Sequence, residues 1–178
     1  MSIILEKKGD SHQIDLGKNS FDKQLIIKAN LNWSQKSNRN AGLLSNFTRK
    51  KASDLDLGCM YEMMNGKKGV IQSLGDSFGA QERSPYIVLD QDDRTGASRY
   101  GENITIYRPE MIKRVLFFAW IYQGANDFQS VNSEMIFQVT NGEQVYLKLN
   151  SPNRQYSFCA AAMIRNHNSQ IKIIKEEH

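Results

Sequence analysis

The sequence predicts an all-β chain: a β-sandwich of two mostly antiparallel sheets with long loops and little helix. Three observations predict it. Apolar residues recur at period two in several short stretches, turn residues separate those stretches, and no stretch sustains a helical period.

Residues 25–33 give the clearest strand. Leu25, Ile27, Ala29, Leu31 and Trp33 share one face, while Lys28, Asn30 and Asn32 share the other. Residues 54–64 repeat the alternation, with Leu55, Leu57, Cys59, Tyr61 and Met63 opposite Asp54, Asp56 and Glu62. Asn65-Gly66 then forms a hairpin turn, because both residues tolerate positive φ, and Val70–Leu74 is the return strand. Tyr86–Leu89 and Ile104–Tyr107 bracket an acidic loop. Residues 113–123 are almost continuously apolar and aromatic, which reads as a central strand buried on both faces, with a buried helix as the alternative. Asn141-Gly142 turns between strands near 132–140 and 143–149, Ser151-Pro152-Asn153 starts a further turn, and strands near 155–165 and 170–175 follow.

Residues 34–53 are polar and basic without a period. They read as an extended surface loop with a short helical turn near Ala41–Phe47. A length of 178 residues suits a single domain over 1–178. Composition is that of a folded chain, with 40% hydrophobic and 24% charged residues. The formal net charge of +4 is mildly basic and does not by itself indicate nucleic acid.

Cys59 and Cys159 both lie in apolar stretches and read as small buried hydrophobes, not as a disulfide framework or a zinc site. The start of the chain has three apolar residues followed at once by charges, which is no signal peptide, and no apolar run approaches the ~20 residues of a membrane span. The expected location is cytoplasmic. Met60, Met63, Met64, Met135, Trp120, Phe117 and Phe118 are expected to fill the core.

The loop between Leu89 and Ile104 holds Asp90, Asp92, Asp93 and Glu102 with Gly96 and Gly101. Against Arg94 and Arg99 these acids leave two net negative charges in one loop. Such crowding is self-repelling unless a cation offsets it. Calcium fits, because it takes ~6–8 oxygen ligands in flexible geometry; magnesium is second. The loop is not an EF-hand: counted from Asp90, the fifth position is Arg94 and the glycine falls one place late, and the flanks read as strands. Asp54 and Asp56 point the same way, ~7 Å apart along their strand, and can meet this loop at one end of the sandwich. A plain solubilising loop is the alternative.

These residues resemble a known family. Ile3-Ile4-Leu5-Glu6-Lys7, Leu31-Asn32-Trp33, Asp54-Leu55-Asp56-Leu57-Gly58, and Asp90 through Gly96 with Gly101-Glu102-Asn103-Ile104 are similar to the tellurium-resistance TerD-type stress proteins. Leu74-Gly75-Asp76-Ser77-Phe78-Gly79 places the likeness nearest the TerA-like branch. The resemblance implies a sandwich that binds one or two calcium ions. It carries the ligand role to Asp54, Asp56, Asp92, Asp93 and Glu102, and to Asp90 by position. It implies a role in resistance to tellurite and other stresses, other stress-resistance proteins or a membrane-associated complex as partners, and no catalytic residues.

Two other functions are weighed. The basic loop, with Lys36, Arg39, Arg49, Lys50 and Lys51, suits a calcium-independent polyanion-binding module in which Arg49, Lys50 and Lys51 make the contacts. A metal-dependent hydrolase would use the clustered acids. His12, His167 and His178 are scattered, and no nucleophile motif or phosphate-cradling glycine loop accompanies them, so the chain is read as not an enzyme.

Overall fold

Two sheets face each other across one apolar core. A computed structural model describes residues 2–15, 24–34, 53–90, 101–150, 156–168 and 170–177. Its strands are β1 (Ser2–Leu5), β2 (Ser11–Asp15), β3 (Ile27–Asn32), β4 (Asp54–Met63), β5 (Lys68–Ile71), β6 (Gly79–Ala80), β7 (Ile87–Leu89), β8 (Glu102–Ile106), β9 (Ile112–Gln123), β10 (Glu134–Val139), β11 (Gln144–Lys148), β12 (Phe158–His167) and β13 (Gln170–Lys175). The first sheet runs β1-β11-β10-β3-β8-β7-β6 and the second β2-β13-β12-β9-β4-β5. Every pairing is antiparallel except that of β1 with β11. The predicted sandwich is the observed fold. Among the described residues the only helical pieces are two 3-10 turns, Pro109–Met111 and Gln129–Val131. No helix among them is long and apolar enough to cross a membrane.

The period-two pattern decides which face each strand buries. On β3, Ile27, Ala29 and Leu31 are fully buried, while Lys28, Asn30 and Asn32 face outward. On β4, Leu55, Leu57, Cys59 and Met63 point into the core. Each large apolar side chain so buried contributes about 1.5–3 kcal/mol. Phe117 of β9 meets Phe137 of β10 edge-on across the two sheets, with ring centroids 5.1 Å apart. Cys59 and Cys159 are buried and form no disulfide, and burial pushes the Cys59 thiol far above its ordinary value.

Several expectations need correction. β9 is central, but its outer face is covered mainly at Phe118, which stacks on Phe158 and lies over Gly58. Trp120 is half-buried and Tyr122 is exposed, because among the described residues no third layer covers this sheet. Met63 and Met135 are core residues, but Met60 and Met64 are about half exposed. Met60 falls on the outward face of β4, and Met64 lies in the turn after it. The return strand β5 starts at Lys68 and ends at Ile71, nearer the Asn65-Gly66 turn than predicted. The strands β1 and β2 were not predicted. They are short and carry little alternation.

Glu62 and Lys175 are charged side chains buried with partners. Glu62, on the outward face of β4, accepts from Lys113 Nζ at 3.0 Å and Arg114 Nε at 2.7 Å. Lys175 occupies the last core-facing place on β13 and is only 1% exposed. Its ammonium donates to the carbonyls of Glu6 and Lys148 and pairs with Glu177, each at 3.0 Å. Three partners for three N–H groups are what such burial requires.

Candidate functional site

The loops that carry the predicted site leave the same end of the sandwich. Pairing of Leu31 with Glu102 puts the end of β3 beside the start of β8. Pairing of Asp54 with Gln123 puts the start of β4 beside the end of β9. A side chain of β8 joins the two sheets here. Glu102, 2% exposed, points inward from β8, and its Oε2 accepts the backbone N–H of Leu57 on β4 at 2.6 Å. Glu102 therefore reaches the peptide that follows Asp56. A charge-assisted bond of this kind is short and stronger than a neutral one. A carboxylate has about four lone-pair directions, so accepting one N–H does not remove it as a metal ligand.

Glu102 is held in place by the residue before it. Gly101 has φ +66, and a Cβ there would lie 1.9 Å from the Leu31 carbonyl oxygen. Only glycine allows β8 to start this close to β3. Asp90 closes the other side of the loop. Its Oδ1 accepts Asn103 N at 2.8 Å, its Oδ2 accepts Asn103 Nδ2, and its own N–H bonds the Asn103 carbonyl. Asp90 is exposed and clamps the hairpin base, a structural duty that sequence spacing did not reveal.

Asp54 and Asp56 project from the outward face of β4. Asp54 is 8% exposed and Asp56 is half-buried opposite Trp120. They line a cleft of about 420 Å³ with Ser73, Asp76, Trp120 and Tyr122. Ser73 Oγ stands 3.5 Å from Asp56 Oδ1. Asp76 is in the left-handed conformation, φ 55, directly after Gly75. The sequence motif Leu74–Gly79 was visible, but its place against Asp56 was not. The cleft residues Ser73, Asp76, Trp120 and Tyr122 were therefore missed.

Trp33 anchors the entrance to β4: its indole N–H donates to the Ser53 carbonyl at 3.0 Å. The excursion between them is thus closed at its base. Arg49, Lys50 and Lys51, the turns near Ala41–Phe47 and Ser151–Asn153, and Asp92 and Asp93 lie outside the described residues. Among the described residues, no three His, Cys, Asp or Glu side chains converge as a metal cage would require. The structure brings Glu102 to the Asp54–Asp56 strand and holds Asp90 at the base of the same loop. The donors present are hard carboxylate oxygens, the chemistry calcium takes and zinc or copper does not favour.

No family model matches the chain. Over 149 residues, 83% of its length, it is 34% identical to the tellurium resistance protein TerA of Alcaligenes sp, and it spans 44% of that relative. The chain therefore covers less than half of the curated protein it matches. With the motif pattern and the sandwich, this identity supports a TerD/TerA-like family for the chain.

Proposed function

We propose that this chain is a calcium-binding, non-catalytic module of a tellurite- and stress-resistance system, and that calcium orders one end of the sandwich for docking a partner. The observation that carries the reading is the Glu102–Leu57 bond, which delivers the downstream end of the acidic loop to the strand bearing Asp54 and Asp56. Asp54 and Asp56 would supply oxygen ligands on the outward face of β4, Asp92 and Asp93 would complete the set, and Glu102, on the core side of that strand, would hold the end of the loop in place. The bound ion would supply charge neutralisation, offsetting the repulsion of the acids. The name of the TerA relative supports the resistance role.

The test is thermal unfolding of chelator-stripped protein with calcium, using magnesium as control. Free calcium at about 100 times its Kd stabilises the folded state by ~2.7 kcal/mol. Asp56→Asn reduces the rise if the reading holds. An unchanged melting temperature in saturating calcium contradicts it.

A further inference from the structure

A second cleft, of about 520 Å³, lies on the first sheet where β3, β10 and β11 end or begin. We propose that it is a binding site for a neutral carbohydrate residue, independent of the acidic site. Its volume lies in the ~300–1,000 Å³ range of small-ligand sites. Its wall is chemically mixed in a particular way. Asn32, Asn132 and Asn150 present carboxamides, each with donors and acceptors on one group. Glu134 and Lys148 also line it, and they stand opposite each other across β10 and β11, so their charges balance. Trp33, half-buried, supplies an aromatic surface.

Vicinal hydroxyls donate and accept at once, and carboxamides, a carboxylate and an ammonium answer both demands. The C–H face of a sugar ring packs on an indole, whose N–H is already engaged by Ser53. A balanced charge gives no advantage to a phosphate or a metal ion. The wall is also fixed before any ligand arrives. Asn132 sits at φ 49 at the end of the 3-10 turn, and its Nδ2 donates to Ser34 Oγ at 3.1 Å. Ser34 Oγ in turn donates to the Val131 carbonyl at 3.2 Å. Beside it, the buried Ser133 hydroxyl donates to the Phe128 carbonyl at 2.9 Å. Such preorganisation lowers the entropic cost of binding.

The test is amide and indole NMR shift mapping of the full chain, titrated with glucose, galactose, mannose and N-acetylglucosamine. The expected result is a saturable shift of the Trp33 indole N–H and the Asn32, Glu134 and Lys148 amides with at least one sugar. Its Kd should be in the millimolar range, as befits one small polar ligand. Glu134→Gln and Asn132→Gly weaken that binding at least about tenfold while leaving the rest of the spectrum unchanged. The trimer of the sugar that binds separates two sources: equal affinity assigns the site to a free sugar, and tighter binding assigns it to a glycan chain. Absence of a saturable shift with all four sugars, or shifts that both variants retain unchanged, overturns the proposal.

Discussion

Glu102 on one sheet and Leu57 on the other share a 2.6 Å hydrogen bond inside the sandwich. Replacing Glu102 with Ala strands a buried backbone N–H and is expected to cost about 2 kcal/mol. Glu102→Gln keeps an acceptor and most of that stability, but removes the charge. Urea unfolding should separate the two variants, and only the alanine should approach the full loss.

Gly101 is the hinge on which that contact depends. Gly101→Ala must relieve both the overlap with the Leu31 carbonyl and the left-handed backbone. The expected loss is about 3 kcal/mol, read as a lower urea midpoint at unchanged m-value.

Phe118 covers the outward face of β4 where Gly58 leaves a gap. A Cβ at position 58 would lie 2.2 Å from the ring's Cζ. Phe118→Ala is expected to cost about 3 kcal/mol by large-to-small truncation, and Phe158→Ala less, since Phe158 is 46% exposed. Chemical denaturation of the two variants checks the order.

Glu62 contributes to the acid-side dependence of stability. The Lys113 hydrogen bond first, and Arg114 next, hold its carboxyl below the ordinary 4.5. A lowered folded value stabilises the fold above pH 4.5, and that contribution is lost as pH falls through the folded value. Glu62→Gln should therefore flatten the decline in melting temperature below pH 4.5 and leave its slope at neutral pH unchanged.

The strands that alternate cleanly were legible in the sequence. Ile27, Ala29 and Leu31 against Lys28 and Asn30 specified both the strand and its buried face. The short β1 was not legible, because its identity rests on parallel pairing with β11, a contact more than a hundred residues distant in the chain. Trp120 and Tyr122 read as core because an apolar run cannot say whether a third layer covers it. For the site, the residue types of Asp54, Asp56 and Glu102 were legible from charge crowding, but not their geometry: Glu102 reaches β4 from the core side, while Asp54 and Asp56 leave that strand on its outward face. What brings Glu102 there was not legible either: a glycine that lets β8 approach β3, and a carboxylate spent partly on a backbone N–H. Asp76 and Ser73 were hidden because a turn's docking against a distant strand leaves no local pattern.

The most direct test of calcium binding is calorimetric titration of the chelator-stripped chain with calcium, repeated with Asp54→Asn/Asp56→Asn protein. The account predicts saturable binding of one or two ions per chain in the parent, weaker by at least about tenfold in the double variant, a difference of ~1.4 kcal/mol. No calcium heat in the parent, or full-strength binding in the double variant, would contradict it.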